Sequence, residues 1–184
     1  HAIECRINAE DPKTFALYVT ARGLTTSPIP DDVRTFQIDL DLIDPALRLS
    51  TSDGAQRQFA LAGQSVASFY AAIMAALWET GIHIAIDEMP NELPEPIRFS
   101  EDKKHASYDP DAVRRFLQIL VNADRVFKQF RTGFLGKASP VHFFWGSFDL
   151  AVTRFSGRGV FITGASGFIG RALQHRYVPD GGGR

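Results

Sequence analysis

The chain has 184 residues, of which 45% are hydrophobic and 22% charged, and a formal net charge of −1, which is ordinary for a globular protein. Its single cysteine excludes an internal disulfide and a cysteine metal cluster, and we expect a reducing, cytoplasmic setting. No apolar run approaches the ~20 residues that a membrane-spanning helix needs, so we expect no membrane partner.

Charge is divided unevenly along the chain. Residues 1–102 hold 7 Lys and Arg against 16 Asp and Glu, whereas residues 103–184 hold 13 against 5. A basic half can attract phosphate or nucleic acid, but no stretch is a dense basic block interleaved with aromatic residues. We therefore expect no nucleic-acid partner and interpret the asymmetry as two halves of complementary charge.

The first part of the chain is typical of an antiparallel sheet. β-branched and aromatic residues predict a strand at 15–21, and two prolines predict a loop at 23–32. Apolar and polar residues alternate at 34–44, which indicates a half-buried strand. Segments 46–52 and 57–62 extend this strand as a hairpin.

A strong helical pattern follows. Ser65 is a suitable N-cap and Gly81 can end the helix. The apolar residues that recur at helical spacing, and so predict the buried face, are Val66, Phe69, Tyr70, Ile73, Met74, Leu77 and Trp78. Residues 82–86 then predict a further strand. The segment 87–110 is rich in proline and charge, and predicts a long loop.

A second amphipathic helix is predicted from Asp109 as N-cap, with Pro110 at the first helical position. Its apolar face consists of Val113, Phe116, Leu117, Leu120, Val121 and Phe127. The aromatic segment 139–157 then predicts one long strand, or two strands broken at Gly146 and Ser147. The predicted fold class is α+β, with a mainly antiparallel sheet packed against two amphipathic helices.

The segment "GVFITGASGFIGRAL", residues 159–173, has the pattern of a phosphate-binding turn. Gly164 allows the tight turn, Gly167 the approach of a pyrophosphate, and Gly170 close packing of a helix on the strand. The segment resembles the opening of the extended short-chain dehydrogenase and sugar-epimerase family, whose members bind NAD(P). This resemblance implies a Rossmann-like βα fragment over residues 159–177.

The surroundings of this motif do not match the family. The acidic residue that holds the ribose, about 20 residues further on, is missing, and the family's Tyr-x-x-x-Lys element has no counterpart. We therefore expect a fragment without a cofactor. An NAD(P)-binding oxidoreductase or sugar-nucleotide epimerase remains the alternative function.

The two ends of the chain are interpreted separately. "HAIECRINAEDPKTF" resembles a stretch of the biotin carboxylase family, which implies a carboxylase-like fragment at 1–14. The segments that bind ATP and metal in that family have no counterpart, so no catalytic residue is carried over. The glycine-rich residues 178–184 predict a disordered tail.

The middle of the chain carries five long motifs in order: "LYVTARGLTTSPIP", "RTFQIDLDLID", "HASYDPDAVRRF", "ADRVFKQFR" and "SPVHFFWGSFDLAVTRFSGR". Together they resemble one bacterial family of uncharacterised proteins, domain of unknown function 5996, over about residues 16–158. We therefore treat 15–158 as one α+β domain. The family has no assigned activity, so the resemblance implies no reaction.

Candidate ligand-binding residues cluster in the strand region 141–154 and the loop 98–110. They are His142, Trp145, Asp149, Arg154, His105 and Tyr108. A His with an Asp can act as base and orienting group, and an Arg with a Trp can hold an anionic or planar ligand. The alternative is structural, with the aromatic residues in the core and Asp149 paired to Arg154.

No metal site is predicted, because no short ligand spacing such as His-x-x-x-His occurs. We expect a ligand-binding or accessory module that acts on an unknown small molecule or protein. Any apolar surface left uncovered would favour self-association.

Overall fold

The computed structural model describes residues 16–90, 93–144, 148–156 and 159–163. These residues group into two compact units. Unit one contains residues 20–117, and unit two contains residues 16–19 together with 118–163. The strands in both units pair antiparallel and two helices accompany them, so the predicted α+β class is confirmed.

The strands in chain order are β1 (Ala16–Val19), β2 (Gly23–Thr25), β3 (Ile29–Asp31), β4 (Arg34–Asp41), β5 (Ala46–Thr51), β6 (Gln56–Ala60), β7 (Lys137–Ala138), β8 (His142–Phe144), β9 (Asp149–Ser156) and β10 (Gly159–Thr163). The helices are α1 (Val66–Glu79) and α2 (Pro110–Thr132). In unit one, β4 lies at the centre of the sheet and pairs with β2, β3 and β5. β5 in turn pairs with β6.

The predicted loop at 23–32 is wrong, because this segment contains the two short strands β2 and β3. Pro30 is accommodated because β3 pairs along its length with β4 alone, and an edge strand tolerates a residue without an N–H donor. Gly23 is needed for a different reason. A Cβ atom at this position would lie 1.9 Å from the carbonyl oxygen of Leu40.

Helix α1 covers one face of the unit-one sheet. Ser65 caps it as predicted, since its side chain accepts a hydrogen bond from the Ser68 N–H, and Gly81 follows the helix at φ +75°. The buried residues that pack together between the helix and the sheet are Phe36, Leu49, Ala76, Leu77 and Ile82. One predicted face residue is misplaced: Trp78 is 68% exposed and packs edge-on against His83 at 4.2 Å between ring centres.

The predicted strand at 82–86 is wrong, because these residues have irregular backbone. Two of their apolar side chains nevertheless pack into the core of unit one. Ile82 is 1% exposed, and Ile84 packs against the same core. The alternation of apolar residues therefore indicates that one side of this segment is buried. It does not show that the segment pairs with another strand.

The long loop after this segment is confirmed as irregular over its described residues, and it completes the start of α1. The Val66 N–H donates to the His105 carbonyl and the Ala67 N–H to the Asp102 carbonyl, each at 2.9 Å. These bonds satisfy two N–H groups that a helix leaves free in its first turn. The loop therefore anchors the N-terminus of the helix.

Helix α2 begins as predicted. The Asp109 carboxylate accepts hydrogen bonds from the N–H groups of Asp111 and Ala112, at 2.9 and 3.1 Å. Leu117 and Leu120 are buried, whereas Val121 of the predicted apolar face is 41% exposed. The buried stripe of this helix is therefore narrower than the sequence pattern indicates.

The strand order in unit two is β10-β9-β8-β1, and β7 also pairs with β9. The aromatic segment 139–157 thus forms the two strands β8 and β9, one of the two predicted arrangements. Its core residues are Val141, Phe143, Leu150, Ala151 and Val152. None of the helices in the described part of the chain is long and apolar enough to cross a membrane.

The predicted Rossmann-like fragment is not confirmed. Its first segment does form the strand β10, but this strand pairs antiparallel with β9, from Gly159 opposite Ser156 to Thr163 opposite Val152. A dinucleotide-binding turn opens a parallel sheet instead. The predicted cofactor residues Gly164, Gly167 and Gly170 lie outside the described residues, as do the segments 1–14 and 178–184.

Candidate functional site

The hairpin of β8 and β9 brings His142 and Asp149 to one face of the unit-two sheet. His142 pairs with Ala151, and Phe144 pairs with Asp149. Cross-strand partners share a face, and so do alternate residues along a strand. His142 and Asp149 are therefore diagonal neighbours, with Phe144 between them on the same face.

Asp149 is the most unusual group on this face. The residue is 6% exposed, and its Oδ1 atom is enclosed without a hydrogen-bond partner among the described residues. Burial raises the pKa of this carboxyl, against the opposing effects of its own backbone N–H and of His142. An enclosed carboxylate oxygen without a donor is costly.

The residue before Asp149 has a strained backbone. Phe148 has φ +52°, in the left-handed region that bulky side chains rarely adopt. Its ring is 69% exposed and packs edge-on against Phe143, with 5.6 Å between ring centres. Strain of this kind is concentrated at functional sites, and here it adjoins the unpaired carboxylate.

The proton position on His142 follows from its hydrogen bond. Nδ1 lies 2.9 Å from the Pro140 carbonyl oxygen, which can only accept, so Nδ1 carries the proton. The other ring nitrogen, Nε2, is then an acceptor whenever the imidazole is neutral. Phe144 fixes the ring further through an edge-on contact at 4.6 Å between centres.

Strand β1 adds a residue that the sequence analysis did not select. Ala16 pairs with Phe144 and Leu17 with Phe143, so Tyr18 lies on the face of Ala16 and Phe144. The strand pattern at 15–21 predicts which of its own residues share a face. It cannot identify the partner strand, which lies more than 120 residues further along the chain. We call Tyr18, His142, Phe144 and Asp149 the acceptor face.

Arg154 is predicted for the same site but lies on the opposite face of β9. It is five positions from Asp149 within the single strand β9, and an odd separation reverses the face. Its guanidinium is stacked on Phe130, 3.3 Å from the centre of the ring. The described residues contain no ion pair between Asp149 and Arg154, so the structural alternative predicted for this pair does not apply.

The predicted site residues that remain are His105, Tyr108 and Trp145. His105 and Tyr108 belong to unit one, and Trp145 lies outside the described residues. The His105 ring bonds the Asp102 carboxylate through Nδ1 at 2.8 Å. The Tyr108 hydroxyl is enclosed without a hydrogen-bond partner in the part of the chain that the structure describes, and burial raises its pKa.

Unit one has a shallow depression of about 330 Å³ on the sheet, lined by Asp39, Arg48, Leu49, Ser50, Gln56, Arg57 and Gln58. Its charged groups are already engaged. Arg48 donates to Asp41, Arg57 donates to Glu79 at 2.8 Å, and Asp39 accepts from Gln37 at 2.9 Å. We therefore regard it as a structured polar surface, and the acceptor face as the stronger candidate.

Neither unit offers a metal centre within its described residues, where no group of three or more His, Cys, Asp or Glu side chains is placed to hold an ion. His142 and Asp149 alone supply two such groups, which is fewer than a protein-held zinc normally has.

The architecture defined above is that of an α+β protein with an antiparallel sheet. The sequence profile of a family of unknown function (DUF5996) matches residues 4–166, and the chain belongs to this family. The match is wider than the predicted 16–158 and includes β10. The function of this family is unknown, so membership assigns no reaction to the chain. No curated protein and no solved structure matches the chain.

Proposed function

We propose that the chain is a ligand-binding module, and that its acceptor face binds a small molecule rich in hydrogen-bond donors, such as a protonated amine. The observation that carries this proposal is the enclosed Oδ1 of Asp149, which has no donor among the described residues. A buried polar atom of this kind is normally satisfied by protein, ordered water or ligand.

The chemistry of the neighbouring groups supports a donor as ligand. Asp149, when ionised, can only accept hydrogen bonds, and His142 accepts through Nε2 because Nδ1 is bound to Pro140. An ammonium group can donate to both and also interact favourably with an aromatic ring such as Phe144. The proposal is binding, without an assigned reaction.

The test is a thermal-unfolding screen with methylammonium, putrescine, glucosamine and guanidinium, each against sodium chloride at the same ionic strength. A ligand at about 100 times its dissociation constant stabilises by about 2.7 kcal/mol, which raises the midpoint by about 5–10 °C in a chain of this size. We expect at least one cation to do so in the wild type but not in Asp149→Asn or His142→Phe.

The matched control is Asp32→Asn. Asp32 is exposed and has φ +53°, a conformation that Asn tolerates, so this variant removes one carboxylate without touching the acceptor face. It should respond as the wild type does. The proposal fails if no cation stabilises the wild type more than salt, or if Asp149→Asn responds equally.

The cellular setting of the protein is inferred from its cysteine content. A chain with one cysteine is suited to a reducing compartment, and we infer a cytoplasmic location on that basis. Self-association through apolar surface stays a prediction.

A further inference from the structure

We propose that Arg154 forms a second binding site, which takes a carboxylate or phosphate group. It lies on the face of β9 opposite the acceptor face and does not depend on the function proposed above. The guanidinium carbon is 3.3 Å from the centre of the Phe130 ring and 5.2 Å from that of Phe134. We call these two rings the aromatic clamp.

The clamp is shaped by the loop that follows α2. A Cβ atom at Gly136 would lie 2.5 Å from Cε1 and Cζ of Phe134, so this position must be glycine for the ring to stay where it is. Phe130 reaches the arginine from the last turns of α2. Two separate elements therefore hold one guanidinium in place before any ligand arrives, which reduces the entropy lost on binding.

The charge of Arg154 is not neutralised by the described residues. Its neighbours in the sheet are Ala138 on one side and Phe161 on the other, and neither carries a charge. Some arginines of unit one do have acidic partners, as Arg34 has in Asp31 and Asp53 and Arg57 has in Glu79. Arg131, an exposed residue next to Phe130 in α2, has the same sign as Arg154 and strengthens the attraction for an anion.

One hydrogen-bond donor of Arg154 has no acceptor among the described residues. Its Nε atom is enclosed without an acceptor, while its terminal nitrogens are not among the enclosed unpaired atoms. Arg154 forms no hydrogen bond with the carbonyl groups at the end of α2 in the described structure, so it does not cap that helix. Stacking covers the plane of the guanidinium and Nε is enclosed, so a bidentate carboxylate or phosphate would bind through the two terminal nitrogens.

The experiment follows the Arg154 side-chain N–H resonances by ¹⁵N NMR during titration with inorganic phosphate and, separately, with acetate. Sodium chloride at matched ionic strength measures screening alone. We expect a saturable shift with at least one anion. A response to phosphate alone assigns the site to phosphoryl groups, and a response to acetate as well assigns it to carboxylates too.

Three variants decide the role of the residue, with binding measured by calorimetry. Arg154→Lys keeps the charge but loses the planar fork, and should weaken binding about 10-fold or more, the factor expected for a lost charge-assisted hydrogen bond. Gly136→Ala should displace the Phe134 ring and weaken binding while Arg154 remains. Arg57→Lys changes an arginine of unit one and should bind as the wild type does.

The outcomes separate a ligand site from a purely structural stack. If the wild-type resonances respond to phosphate and acetate only as they do to chloride, Arg154 is a packing residue and the proposal is wrong. The same conclusion follows if Arg154→Lys binds as tightly as the wild type. Asp149→Asn should leave anion binding unchanged, so failure of the acceptor face and failure of this site are distinguishable.

Discussion

Replacing Asp149 with Asn should stabilise the unliganded protein. The carboxylate is 6% exposed, and one of its oxygens has no partner among the described residues. Asn has nearly the same shape and no charge, so the change removes the unfavourable burial of an ion. An unsatisfied buried polar group costs about 1–3 kcal/mol. Because the Asn amide still needs partners, we expect a gain of about 1 kcal/mol, or about 2–4 °C in the unfolding midpoint.

The gain should depend on pH in a defined direction. Burial raises the pKa of Asp149 above that of the unfolded chain, so the native state holds its proton more tightly. The stability that comes from this proton is fully present below the unfolded pKa of about 3.9, and is lost as pH rises through the native pKa. The wild type and Asp149→Asn should therefore converge in acid and separate as pH rises.

The assay is urea unfolding of both proteins at a series of pH values, with Asp32→Asn as the control. Asp32 is exposed, and its replacement should change the free energy of unfolding by less than about 0.5 kcal/mol. The reasoning is refuted if Asp149→Asn is less stable than the wild type at neutral pH and the deficit grows with pH. That result would mean that the native carboxylate is well bonded and serves as a structural anchor.

Two further substitutions test the packing of unit one. Asp41→Asn should lower the free energy of unfolding by about 2 kcal/mol. The change removes the carboxylate oxygen that accepts from Arg22 Nε at 2.7 Å and from Arg48. The expected loss is smaller than for a fully buried pair because both arginines are partly exposed. Burial raises the pKa of Asp41, but the hydrogen bonds from Arg22, the Asp44 N–H and Arg48 outweigh it and lower the pKa well below the usual range. The contribution of Asp41 is thus present above about pH 4 and lost as pH falls further, which urea unfolding against pH would show. Gly23→Ala places a Cβ 1.9 Å from the Leu40 carbonyl oxygen and should cost at least about 2 kcal/mol in the same assay; a neutral result would show that β2 can move away from β4.

Local signals in the sequence were sufficient for much of the fold. The cap at Ser65 and the apolar spacing after it predicted α1, and Asp109 with Pro110 predicted the start of α2. These signals succeed because capping and helical periodicity act within a few residues. The strand predicted at 82–86 failed because a strand also needs a partner, which no local pattern specifies.

The candidate site depends on the pairing register of β7 and β8 with β9, which the sequence does not reveal. Ala138 pairs with Arg154, while His142 pairs with Ala151. Four positions separate Ala138 from His142, but only three separate their partners Arg154 and Ala151 in β9. The segment from β7 to β8 therefore contains one extra residue relative to β9, as in a β-bulge. A shift of one residue exchanges the two faces of a strand. The bulge therefore decides that His142 shares a face with Asp149.

The opposite placement of Asp149 and Arg154 explains why these two side chains do not pair with each other. The two groups are close in sequence and opposite in charge, and pairing them would satisfy both at little cost. Their odd separation along β9 prevents this pairing, since it directs one side chain to the acceptor face and the other to the aromatic clamp. Each group is then left with hydrogen-bonding capacity that its described neighbours do not fill. Two unpaired groups of opposite sign on a single strand would be an unusual cost for a purely structural element, and this is the physical argument for seeking an amine on one face and an anion on the other.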